Sequence, residues 1–166
     1  MVPEDEEPHV DPVTGRKETR EEQADRNFNE LLQELRVSQT GVQILFAFLL
    51  TLAFQSSFAK VTTPQLTVYV ITLLLCACAT ALLIAPVALH RMLFRQGKKR
   101  EIVDTGSRLA RGGLLMLFLA ICGAILFILD FVLSRTLAAV LAAAITVVFL
   151  TFWYVLPWRM SRVRRD

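Results

Sequence analysis

Residues 61–90 read VTTPQLTVYVITLLLCACATALLIAPVALH, an unbroken run without an Asp, Glu, Lys or Arg. A helix needs about 17–25 mainly apolar residues to cross the hydrocarbon core of a bilayer. Three further stretches, residues 37–59, 112–129 and 136–158, are also free of charged residues. A spanning segment must satisfy its backbone hydrogen bonds internally, and no alternating barrel pattern is present, so the sequence predicts four transmembrane helices.

The expected fold is an all-α, integral membrane four-helix bundle preceded by an amphipathic cytoplasmic helix. A chain of 166 residues leaves no room for a second soluble domain beside it. The pattern predicts a disordered acidic tail over 1–20, the amphipathic helix over 21–36, the membrane domain over 37–158 and a basic tail over 159–166. Within the membrane domain we expect spans at about 39–59, 66–89, 110–132 and 136–157.

The charges are distributed unevenly and predict the orientation of these spans. Residues 1–35 carry eleven acidic and four basic residues, so the rest of the chain carries the excess of basic charge. That excess lies mainly in 91–111, which we expect to be a loop, and after the fourth span, and the positive-inside rule places both segments in the cytoplasm. We therefore expect a multi-pass protein of the cytoplasmic (inner) membrane with both termini inside, a lipid bilayer around it and no nucleic-acid partner.

The segment before the first span has an apolar stripe at helical spacing, formed by Ala24, Phe28, Leu31, Leu32 and Leu35. The opposite face is mainly acidic, whereas helices that lie on anionic membranes usually present Lys and Arg there. Two interpretations remain open. The helix binds the basic loop or another protein, or its stripe lies in the membrane interface while the acidic face is solvated.

A docking surface follows from the first interpretation. On a helix, Glu30 and Glu34 are neighbours one turn apart, and Arg36 and Gln39 continue toward the membrane at a spacing of three. The opposing side would be the basic loop. The candidate docking residues are Glu30, Glu34, Arg36, Gln39, Arg95, Lys98, Lys99 and Arg100.

Polar residues inside the spans give a candidate ion pathway. Gln43, Thr51 and Gln55 follow one another on the first span at multiples of four residues. Asp130, at the predicted outer end of the third span, is the only acidic residue after the N-terminal region that lies within or borders an apolar span, and such a residue is a functional candidate by default. A structural role is the alternative for each of these residues. The polar side chains of the first span would form hydrogen bonds between helices, and Asp130 would pair with Arg135.

Small residues recur at a spacing of four on the second and fourth spans and predict close helix contacts: Thr72, Cys76 and Thr80, then Ala138, Ala142 and Thr146. The cysteines are interpreted as packing residues, because Cys76 and Cys78 point about 200° apart on a helix. No nucleophile–base pair, phosphate loop or metal-ligand spacing is visible, so we expect no enzyme activity, no metal and no cofactor.

The junction around the first span resembles a known family. The resemblance rests on Glu30, Leu31, Leu32, Glu34, Arg36, Gln39, Thr40, Gly41, Gln43 and Phe46, with Pro86, His90 and Arg91 at the end of the second span. These residues are similar to those of small four-span actinobacterial membrane proteins of unknown function, some of which carry the label of a sodium:proton antiporter. The resemblance covers most of the chain from Glu21 onward.

Two classes of function are consistent with the sequence. The chain is an accessory, scaffold or regulatory membrane subunit whose acidic helix binds a membrane-protein partner or its own loop. Alternatively, it moves protons or sodium along the seam of Gln43, Thr51 and Gln55. This would require a homo-oligomer, because a monomer has only one carboxylate, at the edge of a span, with which to bind the ion. Family membership by itself does not supply a site.

Overall fold

The computed structural model describes residues 9–10, 15, 17–93 and 99–163 of the chain. Two short strands, β1 (His9–Val10) and β2 (Lys17–Glu18), pair antiparallel before the first helix. The helices are α1 (Arg20–Leu52), α2 (Thr63–Leu93), α3 (Lys99–Val132), α4 (Arg135–Leu150) and α5 (Leu156–Val163), with a 3-10 turn at Ser56–Lys60 and a π-helical turn at Thr151–Val155.

The all-α prediction with four membrane helices is confirmed. Four helical segments within the described residues are long and apolar enough to cross a membrane: Asp25–Leu52, Thr63–Leu89, Val103–Val132 and Arg135–Met160. The fourth of these runs from α4 through the π-helical turn into α5.

Helix ends differ most from the sequence-based boundaries. The amphipathic segment and the first span form one uninterrupted helix, which ends at Leu52 instead of near residue 59. The expected basic loop is largely helical, because α2 continues to Leu93 and α3 begins at Lys99. Charged residues interrupt an apolar run without interrupting a helix, so hydropathy marks where a membrane ends and not where a helix ends.

Side-chain caps fix two of the helix starts. At the start of α1, the Thr19 amide donates to Glu22 Oε2 at 2.8 Å, and the Glu22 amide donates to Thr19 Oγ1 at 3.2 Å. At the start of α2, the Thr62 amide donates to Gln65 Oε1 at 3.0 Å. Both are capping-box contacts, in which residues three apart satisfy amides that have no partner inside the helix.

The chain divides into two compact units, Met1–Gln43 with Ala79–Leu114, and Ile44–Cys78 with Leu115–Asp166. In the first unit, parts of α1, α2 and α3 pack together, with Phe28, Leu35 and Val42 buried at seven-residue intervals. In the second unit, α4 joins the remaining parts of these three helices, and α3 buries Leu117, Ala120, Ala124 and Phe127. Burial at alternating intervals of three and four is typical of left-handed helix packing.

Candidate functional site

The apolar stripe of α1 packs against other helices of the first unit. Phe28 and Leu35 are 3% and 2% exposed. A Cβ atom placed on Gly106 of α3 would lie 3.6 Å from Leu31 and 3.7 Å from Phe28, with Pro86 of α2 at 3.5 Å. The stripe therefore packs against α2 and α3, which removes the interpretation in which it lies in the membrane interface.

The polar face of α1 is exposed at the predicted docking residues. The Glu30 side chain is 62% exposed and pairs with Arg26 at 3.5 Å, a contact between residues one turn apart. Glu34 and Arg36 are also exposed. The acidic face is thus available for binding, while the apolar face of the same helix is used inside the protein.

Gln39 has a different role from its three neighbours on the docking surface. Its Nε2 donates to the Leu83 carbonyl of α2 at 2.8 Å, and the side chain is half-buried. Leu83 lies three residues before Pro86, which lacks an amide and disturbs the hydrogen bonding of the preceding turn. Gln39 therefore joins α1 to α2 beside a proline inside a helix.

The basic half of the docking surface is not defined by the structure. Arg95 and Lys98 lie outside the described residues. Lys99 and Arg100 begin α3, but their side chains lie outside the described part of the chain. Pairing between the acidic helix and these residues stays a prediction.

Two of the candidate ion-pathway residues lie on α1, and a third lies beyond its end. Gln43 and Thr51 are exposed on α1, and the Thr51 hydroxyl donates to the Ala47 carbonyl of its own helix at 2.9 Å. Gln55 is exposed and lies beyond the end of α1, immediately before the 3-10 turn. Because α1 ends at Leu52, the structure does not place Gln55 on the helical seam that the spacing predicted.

Two polar side chains near the start of α2 bind the carbonyl ends of other helices in the second unit. The Tyr69 hydroxyl donates to the Leu49 carbonyl at 2.9 Å, and Gln65 Nε2 donates to the Asp130 carbonyl at 2.9 Å. Leu49 and Asp130 lie in the last turns of α1 and α3, where carbonyls have no partner within the helix. Tyr69 and Gln65 therefore satisfy buried or half-buried carbonyls that would be costly to leave unpaired.

Sequence reasoning missed both of these residues. Gln65 had a usable signal, since it follows Thr62 by three residues in the pattern of a capping box. Tyr69 had none, because one tyrosine in an apolar run is also typical of a lipid-facing or packing residue.

Asp130 borders a cavity of about 200 Å³ in the second unit, where α2 and α4 begin and α3 ends. The Asp130 side chain is half-buried and Arg135 is exposed. Within the described part of the chain, neither side chain forms an ion pair within 4.0 Å. The cavity is lined by Pro64, Gln65, Val68, Leu126, Phe127, Asp130, Arg135 and Ala139.

Four of the six small residues predicted to make close contacts on the second and fourth spans are buried, and Thr80 and Thr146 are half-buried. Thr72 and Cys76 of α2 are buried, and Ala138 and Ala142 are the buried residues of α4. None of the three cysteines, all of which lie within the described residues, forms a disulfide, and Cys76 is buried while Cys78 is exposed, as expected for residues on different faces of a helix.

No curated protein and no solved structure matches the chain significantly. The model of a protein family matches residues 17–157, which include every helix up to the first residues of α5. The chain therefore belongs to the DUF6328 family, a family of unknown function.

Proposed function

We propose that this protein is a non-catalytic accessory subunit, a scaffold or regulator, of the cytoplasmic membrane with both termini in the cytoplasm. One observation carries the proposal: the half-buried or buried polar side chains Gln39, Gln65 and Tyr69 each bind the backbone of another helix. Side chains used in this way hold helices in place and are not free to pass an ion along. The orientation rests on the basic segments 91–111 and 159–165.

The acidic face of α1 supplies the partner contact in this proposal. Glu30 and Glu34 are exposed on a helix whose position is fixed by the burial of Phe28 and Leu35. A rigid acidic surface next to a membrane favours a basic partner, because complementary charge speeds association and selects partners. The partner is a basic membrane protein, a second copy or the chain's own basic segment.

A charge reversal tests this contact. Membranes solubilised in mild detergent should contain the native protein in a complex larger than a single chain, resolved on a native gel. Reversal of the pair, Glu30→Lys with Glu34→Lys, should reduce that complex to the single chain. Asp104→Lys, which reverses an exposed acid on α3, is the control and should leave it intact. A native protein that migrates as a single chain would rule out a membrane-protein partner and a second copy and leave only the chain's own basic segment. A complex that survives the double reversal would contradict the proposal.

Ion transport is the second candidate, and the cavity at Asp130 is the observation that favours it. A carboxylate that borders a cavity at the end of an apolar helix is a reasonable entry point for a proton or sodium ion. Transport would require an oligomer to complete a pathway from Gln43 and Thr51. It predicts loss of flux in Asp130→Asn and in Gln55→Leu with the fold intact, whereas an accessory protein tolerates both changes.

A further inference from the structure

The cavity between the starts of α2 and α4 and the end of α3 contains two opposite charges that do not pair with each other. Asp130 and Arg135 both line it, and within the described residues neither makes an ion pair. The Asp130 carboxylate is half-buried without a counter-charge, whereas Arg135 is exposed, and a ligand carrying both charges would give each of them an opposite charge. The pair of charges therefore points to a zwitterionic ligand.

The third polar residue that lines the cavity, Gln65, already makes two hydrogen bonds within the protein. Gln65 accepts a hydrogen bond from the Thr62 amide at 3.0 Å and donates one to the Asp130 carbonyl at 2.9 Å. The first bond caps the start of α2, and the second holds that start against the end of α3. Because the bond to Asp130 uses the backbone oxygen, the Asp130 carboxylate is not occupied by Gln65.

The position of the cavity indicates where such a ligand would come from. Four of its residues, Pro64, Gln65, Asp130 and Arg135, lie within three residues of the end of a membrane-spanning segment. That is the depth at which lipid headgroups meet the protein. Other parts of the wall are apolar, with Val68, Leu126 and Phe127 reaching toward the membrane-embedded part of the helices. A charged end and an apolar wall fit a lipid better than a wholly soluble molecule.

We infer that this cavity binds the headgroup of a zwitterionic phospholipid, with its ammonium group at Asp130 and its phosphate at Arg135. A volume of about 200 Å³ corresponds to roughly six or seven water molecules and suits an ammonium-bearing phosphate ester. The first part of the acyl chain would lie along Val68 and Leu126. Arginine suits the phosphate because its planar group offers several donors.

The test is thermal unfolding of the purified full-length protein in detergent with added short-chain lipids. Phosphatidylethanolamine should raise the unfolding temperature at concentrations at least tenfold lower than phosphatidylglycerol, which has the phosphate but no ammonium. Asp130→Asn should abolish this preference, and Arg135→Gln should reduce the stabilisation by both lipids. Asp104→Asn and Arg108→Gln make the same chemical changes at exposed positions of α3 and should leave the preference unchanged.

Two further arms complete the test. Free phosphoethanolamine should compete with the lipid for the cavity, because the headgroup is the part that is recognised. If the free compound instead raises the unfolding temperature as much as the lipid does, the site belongs to a soluble ligand and the lipid assignment is wrong. Ala139→Trp, which fills the cavity from an exposed position, should abolish the effect of phosphatidylethanolamine and provides a second test if Asp130→Asn fails to fold. Equal stabilisation by both lipids, or a preference that persists in Asp130→Asn or Ala139→Trp, would overturn the inference.

Discussion

Individual glycines set how closely α3 approaches α2 within each unit. A Cβ on Gly113 would lie 2.8 Å from Leu83 Cγ, and a Cβ on Gly123 would overlap Thr72 Oγ1. The sequence predicted close contacts from the small residues of α2 and α4, and the structure shows that glycines of α3 complete them. The partner of each glycine could not be predicted, because it depends on the register between two helices that are distant in sequence.

Neighbouring glycines provide a matched test of this packing. Gly113→Ala should destabilise the protein by ~1–3 kcal/mol, since the added methyl group forces Leu83 to move. Gly112→Ala meets only Leu82 at 3.6 Å and should be neutral or stabilising by up to ~1 kcal/mol, because alanine favours a helix. Equilibrium unfolding in mixed micelles would measure both, and equal effects of the two changes would contradict the packing described.

The Tyr69 hydroxyl provides a second test at the scale of a residue. Tyr69→Phe keeps the ring, which packs on Phe58 and Phe127 with centroid distances of 5.0 and 5.5 Å, and removes the bond to the Leu49 carbonyl. We expect a loss of ~0.5–1.5 kcal/mol of unfolding free energy. Tyr154→Phe makes the same change at an exposed tyrosine and should have little effect. An equal change in unfolding free energy in the two variants would show that the Tyr69 hydrogen bond does not contribute to stability.

At the scale of elements, the sequence predicts which segments are helical better than where they end. Each of the four apolar stretches overlaps a helix long enough to cross a membrane, and Phe28 and Leu35 of the predicted stripe are buried. The end of α1 at Leu52 was not predicted, because residues 53–59 are as free of charge as the helix before them. That end decides the position of Gln55, which lies beyond α1 and not on the predicted helical seam, while its part in an ion pathway stays a prediction. The packing of the stripe on Gly106 and Pro86 depends on tertiary contacts that periodicity does not specify.

The N-terminal part of α1 should be held in place by its buried stripe. Leu35→Ala removes a side chain that is 2% exposed and should destabilise the first unit by ~2–5 kcal/mol. Hydrogen–deuterium exchange should then become faster in the N-terminal part of α1. Val37→Ala, at a position that is 77% exposed, is the control and should leave exchange unchanged. Unaltered protection in Leu35→Ala would mean that the stripe does not anchor this helix.

At the scale of the whole molecule, charge and hydropathy together predict an orientation that labelling can test. In a protein whose three native cysteines are replaced by alanine, Lys60→Cys should react with a membrane-impermeant maleimide in intact cells. Arg111→Cys should react only after the membrane is permeabilised, because the basic segment that contains it is predicted to be cytoplasmic. Both positions are exposed, so accessibility depends on the side of the membrane. The reverse labelling pattern would contradict the predicted topology.

The accessory proposal and the transport alternative differ most directly in flux. Purified protein, shown to be folded, would be reconstituted into liposomes and subjected to pH and sodium gradients, with Asp130→Asn and empty liposomes as controls. Because Gln39, Gln65 and Tyr69 bind helix backbones, we predict no flux above that of empty liposomes. Proton or sodium flux that is present in the native protein and lost in Asp130→Asn would contradict this account and establish the cavity at Asp130 as part of an ion pathway.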